Sequence, residues 1–155
     1  MKLVLAAVGQ KLPHWINAGF TEYQKRLPPH LSLSLREIPV TKRGKNPDVP
    51  RLKQREGELL LKAAGSSMII ALDENGAGWS TLELARQLNQ WQHQGRDVTI
   101  LVGGPDGLAD SCLQRAEHCW SLGPLVLPHG LVRVIVAEQL YRAWSISAGH
   151  PYHRE

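Results

Sequence analysis

Cysteine is scarce, long apolar runs are missing and no segment repeats, and each shortage narrows the class of protein. The two cysteines, Cys112 and Cys119, fall in what reads as one helix, which puts their side chains about two turns, or roughly 10 Å, apart. That is too wide for a disulfide, so two reduced thiols are expected, as in a cytoplasmic protein. No closely spaced cysteine pair completes a zinc pattern with His118, His150 or His153, and no metal is expected. The longest apolar candidate, residues 131–146, is interrupted by Arg133, Glu138 and Arg142, short of the roughly 20 apolar residues that cross a bilayer. No membrane association is expected. Residues 1–8 are too brief an apolar stretch for a secretory segment and read as a buried first strand.

With 155 residues, 43% of them hydrophobic and 21% charged, the chain is sized for one compact domain over residues 1–155. The net charge of +4 is unevenly spread. Residues 1–62 hold 12 Lys/Arg against 5 Asp/Glu, and residues 63–155 hold 6 against 9, so the halves carry +7 and −3. A basic front half is the footprint expected of a chain that meets phosphates.

Strand and helix patterns alternate along the chain. Residues 3–8 read as a strand, and Ile16, Phe20, Tyr23 and Leu27 recur at helical spacing behind Pro13. Leu31, Leu33 and Leu35 alternate with Ser32, Ser34 and Arg36, the period of a strand with one wet face near a sheet edge. Asp48 and Pro50 open a helix with the stripe Leu52, Leu59, Leu60 and Ala63, closed at Gly65. Residues 68–72 form a buried strand. Ser80 and Glu83 make a capping box ahead of Leu82, Ala85, Leu88 and Trp91, and Gly95 ends that helix. Residues 98–102 form another strand, 110–118 a helix and 122–127 a last strand. The final helix, 131–147, is apolar around most of its circumference and needs a second burying surface. The sum is an α/β fold: a mostly parallel sheet with helices on both faces.

In such a sheet, ligands collect outside the carboxyl ends of strands. Three ends compete: Leu72-Asp73, Gly103-Gly104-Pro105-Asp106-Gly107, and the stretch from Leu122 to Gly130. The glycine-rich loop lacks the Lys-Ser/Thr of a P-loop and does not fit Gly-x-Gly-x-x-Gly, which disfavours nucleoside triphosphates and dinucleotides. Its glycines permit close approach of a ligand to bare backbone.

Together with Leu122–Pro128 and Ala137-Glu138-Gln139-Leu140-Tyr141-Arg142-Ala143, this loop resembles the C-terminal signature of the SPOUT methyltransferases. Lys42-Arg43-Gly44-Lys45-Asn46, Leu127-Pro128-His129 and the ending His150-Pro151-Tyr152-His153-Arg154-Glu155 narrow the resemblance to the RlmH family, over the whole length. The terminal motif is its most specific part. Asp106, where Glu is frequent, and Gly130, where a larger residue is often seen, are departures; Gly130 is expected to loosen the start of the last helix.

The resemblance implies a C-terminal trefoil knot and a homodimer that transfers the methyl group of S-adenosylmethionine to N3 of a pseudouridine in 23S rRNA of the assembled ribosome. It places the cofactor against Leu72, Gly104 and the backbone of Gly123, Pro124, Leu125, Val126, Leu127 and Pro128, with Leu125 and Leu127 packing on adenine. The N3 imide carries a proton, so a base or cation is needed nearby. His153 is the candidate acceptor, Arg154 the candidate cation, Tyr152 a platform for a splayed base and Arg142 a weaker substrate contact. His129 reads as structural. Two rival functions are a related enzyme acting on tRNA and a non-catalytic ribosome-binding module.

Overall fold

The computed structural model describes residues 1–154; Glu155, the last residue of the terminal motif, lies outside the described residues. Ten elements follow in order: β1 (Lys2–Val8), α1 (His14–Gln24), β2 (Ser32–Ile38), α2 (Val49–Ala64), β3 (Met68–Ala77), α3 (Thr81–His93), β4 (Val98–Val102), α4 (Asp110–Arg115), β5 (His118–Trp120) and α5 (His129–Ser147). The five strands form one parallel sheet in the order β2-β1-β4-β3-β5. As its alternating pattern predicts, β2 is an edge strand, and β4, apolar throughout, is buried at every position in the middle.

Helices cover both faces. On one, α1, α3 and α5 close a core with Leu5, Ile70, Ile100, Leu88 and Leu140; on the other, α2 and α4 close a smaller core around Leu60, Leu101 and Cys112. The capping box of α3 is formed in both directions, Ser80 with the Glu83 N–H and Glu83 with the Ser80 N–H. Asp48 caps α2 and Gly65, at φ +57°, ends it. The buried face of α2, however, is Glu56, Gly57, Leu60 and Ala64, and Leu59 is exposed. Gly57 and Ala64 let α2 lie close to its neighbours, since a Cβ at position 57 would stand 2.9 Å from the Ala109 Cβ. Leu82 is likewise exposed while Leu84 is buried in its place.

The largest difference from the sequence reading lies between residues 110 and 127. α4 stops at Arg115, and the last strand is His118–Trp120, so Cys119 is on a strand and not on the helix of Cys112. Residues 122–127 are loop. Gly123 at φ +116° breaks the extended run, Pro124 lacks a ladder donor, and Leu125 and Val126 are 78% and 93% exposed. The true strand is held instead by aromatic packing, with Trp120 stacked on Trp79 at 5.9 Å between centroids.

Candidate active site

The carboxyl ends of β3, β4 and β5 surround a cavity of about 750 Å³, within the size range of cofactor sites. The misplaced last strand does not take these residues away from the cavity, because Leu122–Leu127 follows β5 in any case. Leu72, Gly104, Gly123, Pro124, Leu125, Val126 and Leu127 all line the cavity; Pro128 stands at its edge as the residue capping α5. His129 lines it too, although the sequence assigned it no role. So do Asp73, Glu74 and Asn75, which bulge out where the register against β5 shifts between Leu72 and Ala77. Gly76 makes that bulge possible, since a Cβ there would lie 2.6 Å from the Cys119 carbonyl carbon. A short acidic step after a buried strand, Leu72-Asp73-Glu74, was the only sequence signal for these groups.

The glycines of the loop Gly103–Gly107 act differently from the expectation. A Cβ at Gly103 would sit 2.5 Å from the Gly107 carbonyl carbon, and one at Gly104 would sit 2.9 Å from Val8 Cγ1 and 3.0 Å from Glu56 Oε1. The space these residues free is filled by the protein itself, and it shapes the loop from behind. Gly107, at φ +85°, closes it with an N–H bond of 3.0 Å to the Gly104 carbonyl. Gly103→Ala is therefore expected to lower S-adenosylmethionine affinity at least about tenfold, the equivalent of roughly 1.4 kcal/mol, because backbone and not a flexible side chain must move. Calorimetric titration of the folded variant checks this, and unchanged affinity would show that the loop does not hold cofactor.

Gly130 is also corrected. A Cβ there would overlap Ile16 Cδ1 at 2.1 Å, so this glycine seats α5 against α1 and does not loosen it.

The tail forms a second cluster. Tyr152 packs edge-on against Tyr141 at 4.6 Å, and its hydroxyl donates to Glu138 Oε1 at 3.0 Å. Arg142 donates to the same carboxylate through Nε at 2.8 Å, lies 4.9 Å over the Tyr152 ring, and donates from Nη1 to His153 Nδ1 at 3.1 Å. A guanidinium only donates, so in this contact His153 Nδ1 is the acceptor. Burial, helped by the hydrogen bond to Glu138, pushes the Tyr152 phenol far above its usual range, so it stays a donor. The bond to Glu138 likewise raises Arg142. Arg154 is exposed. Glu138, the hub of this cluster, carried no assigned role in the sequence.

Three of the four expected catalytic residues thus gather, but away from the cavity of their own chain. His129 at the start of α5 lines the cavity, whereas Arg142 lies 13 residues on, about 20 Å along the helix axis. No residue beyond Val132 lines the cavity.

A parallel α/β sheet with a cleft walled by the loops at its carboxyl ends is the arrangement in which α/β proteins collect small-molecule ligands. The family model described as "Predicted SPOUT methyltransferase" matches residues 1–153. The chain is also 54% identical, over 100% of its length and 100% of the relative's, to "Ribosomal RNA large subunit methyltransferase H" of Thioalkalivibrio sulfidiphilus (strain HL-EbGR7). Among solved structures, the fold is similar to a probable methylase family protein from Haemophilus influenzae Rd KW20 (TM-score 0.58, 12% identity, 99% of this chain and 70% of that one). It is similar as well to a putative methylase family protein from Neisseria gonorrhoeae (TM-score 0.54, 14% identity, 99% and 85%). The chain belongs to the SPOUT methyltransferases, enzymes that use S-adenosylmethionine. Among the described residues no helix is long and apolar enough to cross a membrane, and no three His, Cys, Asp or Glu side chains gather as a metal site.

Proposed function

We propose that this chain methylates the large-subunit ribosomal RNA, at N3 of a pseudouridine, as a homodimer in which the tail of one subunit completes the cavity of the other. The observation that carries the composite site is the separation of about 20 Å along α5 between the cavity and the His153–Arg142 cluster. The relative's name supplies the RNA. The knot implied by the resemblance belongs to the same proposal, supported by α5 running back against α1 and α3 although β5 lies at the far edge of the sheet.

The cofactor supplies an electrophilic methyl on a sulfonium. The backbone of Gly123–Pro128 offers N–H and C=O groups to adenine, with the exposed Leu125 and half-buried Leu127 closing on its faces, and Asp73 and Glu74 suit ribose hydroxyls. The imide nitrogen must shed a proton as it attacks. His153 of the partner subunit accepts that proton once Nδ1 leaves Arg142, and the freed guanidinium, with Arg154, stabilises the anion. Tyr152, protonated and packed, orients Arg142 through its ring and through their shared partner Glu138. Mass spectrometry of large-subunit rRNA and tRNA nucleosides from cells with and without the protein tests the reading: loss of one methylated pseudouridine from the rRNA supports it, unchanged profiles refute it, and a change confined to tRNA favours the rival substrate. Failure of the purified protein to bind S-adenosylmethionine would favour the non-catalytic module.

The dimer is supported by the half-exposed face of α5 bearing Leu131 and Ile135. Leu140 is fully buried, so a charge there strikes the fold and not assembly. Ile135→Glu is expected to halve the mass seen by light scattering at micromolar concentration and to abolish methylation; a wild-type mass near 17 kDa would contradict the dimer outright.

The segment 39–48 is the RNA-facing loop in this reading, with one correction. Lys42 and Lys45 are exposed, but Arg43 is held by Glu56 and Asp106 and is not free for phosphate. Neutralising Lys42 and Lys45 together should weaken ribosome binding and lower the slope of log K against log salt by about 1 to 2 units. Identical curves for variant and wild type would leave the loop as a solvated face.

A further inference from the structure

Glu56 is the only carboxylate among the buried charged groups of the described residues, at 2% exposure on the inner face of α2. A carboxylate so placed is costly unless it is paired and hydrogen-bonded. Its Oε2 accepts from the Thr41 N–H at 2.9 Å and from Arg43 Nη1 at 3.0 Å, and its Oε1 lies 3.4 Å from Arg43 Nη2. The same Oε1 is the atom that a Cβ at Gly104 would meet. The Arg43 guanidinium does not stop at Glu56. Nη2 reaches Asp106 Oδ2 at 2.6 Å, in the loop lining the cavity, while Nη1 also donates to the Thr41 carbonyl at 2.6 Å.

One planar fork therefore joins three things: the segment carrying Lys42 and Lys45, a buried anion behind Gly104, and the loop at the cofactor cavity. A lysine in its place is a single point charge and cannot span both carboxylates in the same way. At the tip of the loop Pro105 lacks an N–H, and the Gly107 N–H bonds back to the Gly104 carbonyl, so Asp106 is the residue through which a side chain from another segment reaches the loop.

We propose that Arg43 is a positioning residue which fixes the Gly103–Gly107 loop through Asp106, and that it couples cofactor affinity to contacts made by the segment 39–48. The first half stands on the S-adenosylmethionine site alone; the coupling rests on the reading of residues 42–45 as RNA-facing. RNA held by Lys42 and Lys45 orders the segment from which Arg43 reaches, so the loop is held in its binding shape more of the time. By linkage, cofactor must tighten RNA by the same factor.

The test is calorimetric titration of S-adenosylhomocysteine into wild type, Asp106→Asn, Arg43→Lys and the double variant, alone and with a large-subunit rRNA stem-loop. Asp106 is partly exposed, so Asp106→Asn should keep the wild-type thermal midpoint and bind about tenfold more weakly. The double variant should be no weaker than the worse single, because both remove one link. RNA should tighten S-adenosylhomocysteine in wild type about threefold or more and leave Asp106→Asn unchanged. Binding by Asp106→Asn within twofold of wild type, or a double variant weakened by the product of the singles, would overturn the positioning role. Equal RNA enhancement in both proteins would overturn the coupling. A wild type that fails to bind S-adenosylhomocysteine at all would count against the methyltransferase site itself.

Discussion

Removal of residues 152–155 is expected to lower methylation of ribosomes by at least about a hundredfold while leaving S-adenosylhomocysteine affinity within about twofold of wild type. The tail touches nothing in the cavity of its own chain, so the cofactor does not register its loss. The reaction should, because the proposed acceptor His153 and the proposed cation Arg154 go together, and losing general base and charge stabilisation costs on the order of 10² to 10⁴ in rate. The chain end is not a loose appendage, however. The Tyr152 ring seals Tyr141 and its hydroxyl satisfies Glu138, so truncation should also cost about 1 kcal/mol of stability. Among single changes, Tyr152→Phe forfeits only the hydroxyl bond and should be milder than His153→Ala or Arg154→Ala. Parallel titration calorimetry and single-turnover methylation separate these effects. A truncated enzyme that turns over normally would move the catalytic assignment to His129, which faces the cavity.

The second large effect concerns folding. Arg133 is 1% exposed, the largest fully buried side chain among the described residues. Nη1 pairs with Glu37 at 2.7 Å, at the end of β2, and Nη2 donates to the Gly9 carbonyl at 2.9 Å, just after β1. Nε has no partner. The guanidinium thus ties α5 to the carboxyl ends of two strands, and Gly9 at φ +126° presents its carbonyl to it. Arg133→Ala removes the pair and leaves a side-chain-sized void, so a loss of about 3 kcal/mol is expected. Arg133→Met keeps the volume and leaves no buried charge, and it should recover a good part of that loss. Denaturant melts of both variants check the order, and equal stabilities for the two would show that the loss comes from the ion pair alone and not from the void.

Much of this was legible in the sequence because it was written in local chemistry. The capping box at Ser80, the helix stop at Gly65 and the alternating edge strand β2 each follow from two or three residues whose side chains determine their own backbone. The cavity loops were legible by company, since glycine-rich and leucine-rich stretches at strand ends and the terminal motif together resemble one family. What stayed hidden depends on partners far away in the chain. Residues 122–127 have the apolar run of a strand, but nothing covers Leu125 and Val126, while His118–Trp120 becomes a strand because Trp79 and Trp91 wait for Trp120. Arg43 looked like one more charge of the basic front half until Asp106, 63 residues on, took it. The face of α2 was misread by one position because Gly57 and Ala64 are buried for their smallness, a property that hydrophobic periodicity does not score.

The composite site is tested most directly by mixing two enzymes, each impaired in a different part. A chain lacking residues 152–155 keeps its cavity, and a Gly103→Ala chain keeps its tail. Co-expressed with different affinity tags and purified through both, they give a heterodimer in which one cavity is intact and faces an intact tail, while the other pair has lost both parts. With S-adenosylmethionine well below its wild-type dissociation constant, this heterodimer should methylate ribosomes at about half the wild-type rate per dimer, although the Gly103→Ala parent keeps about a tenth or less and the truncated parent about a hundredth or less. A heterodimer that assembles and yet is no more active than its parents would show that cavity and tail must belong to the same chain, contradicting the account.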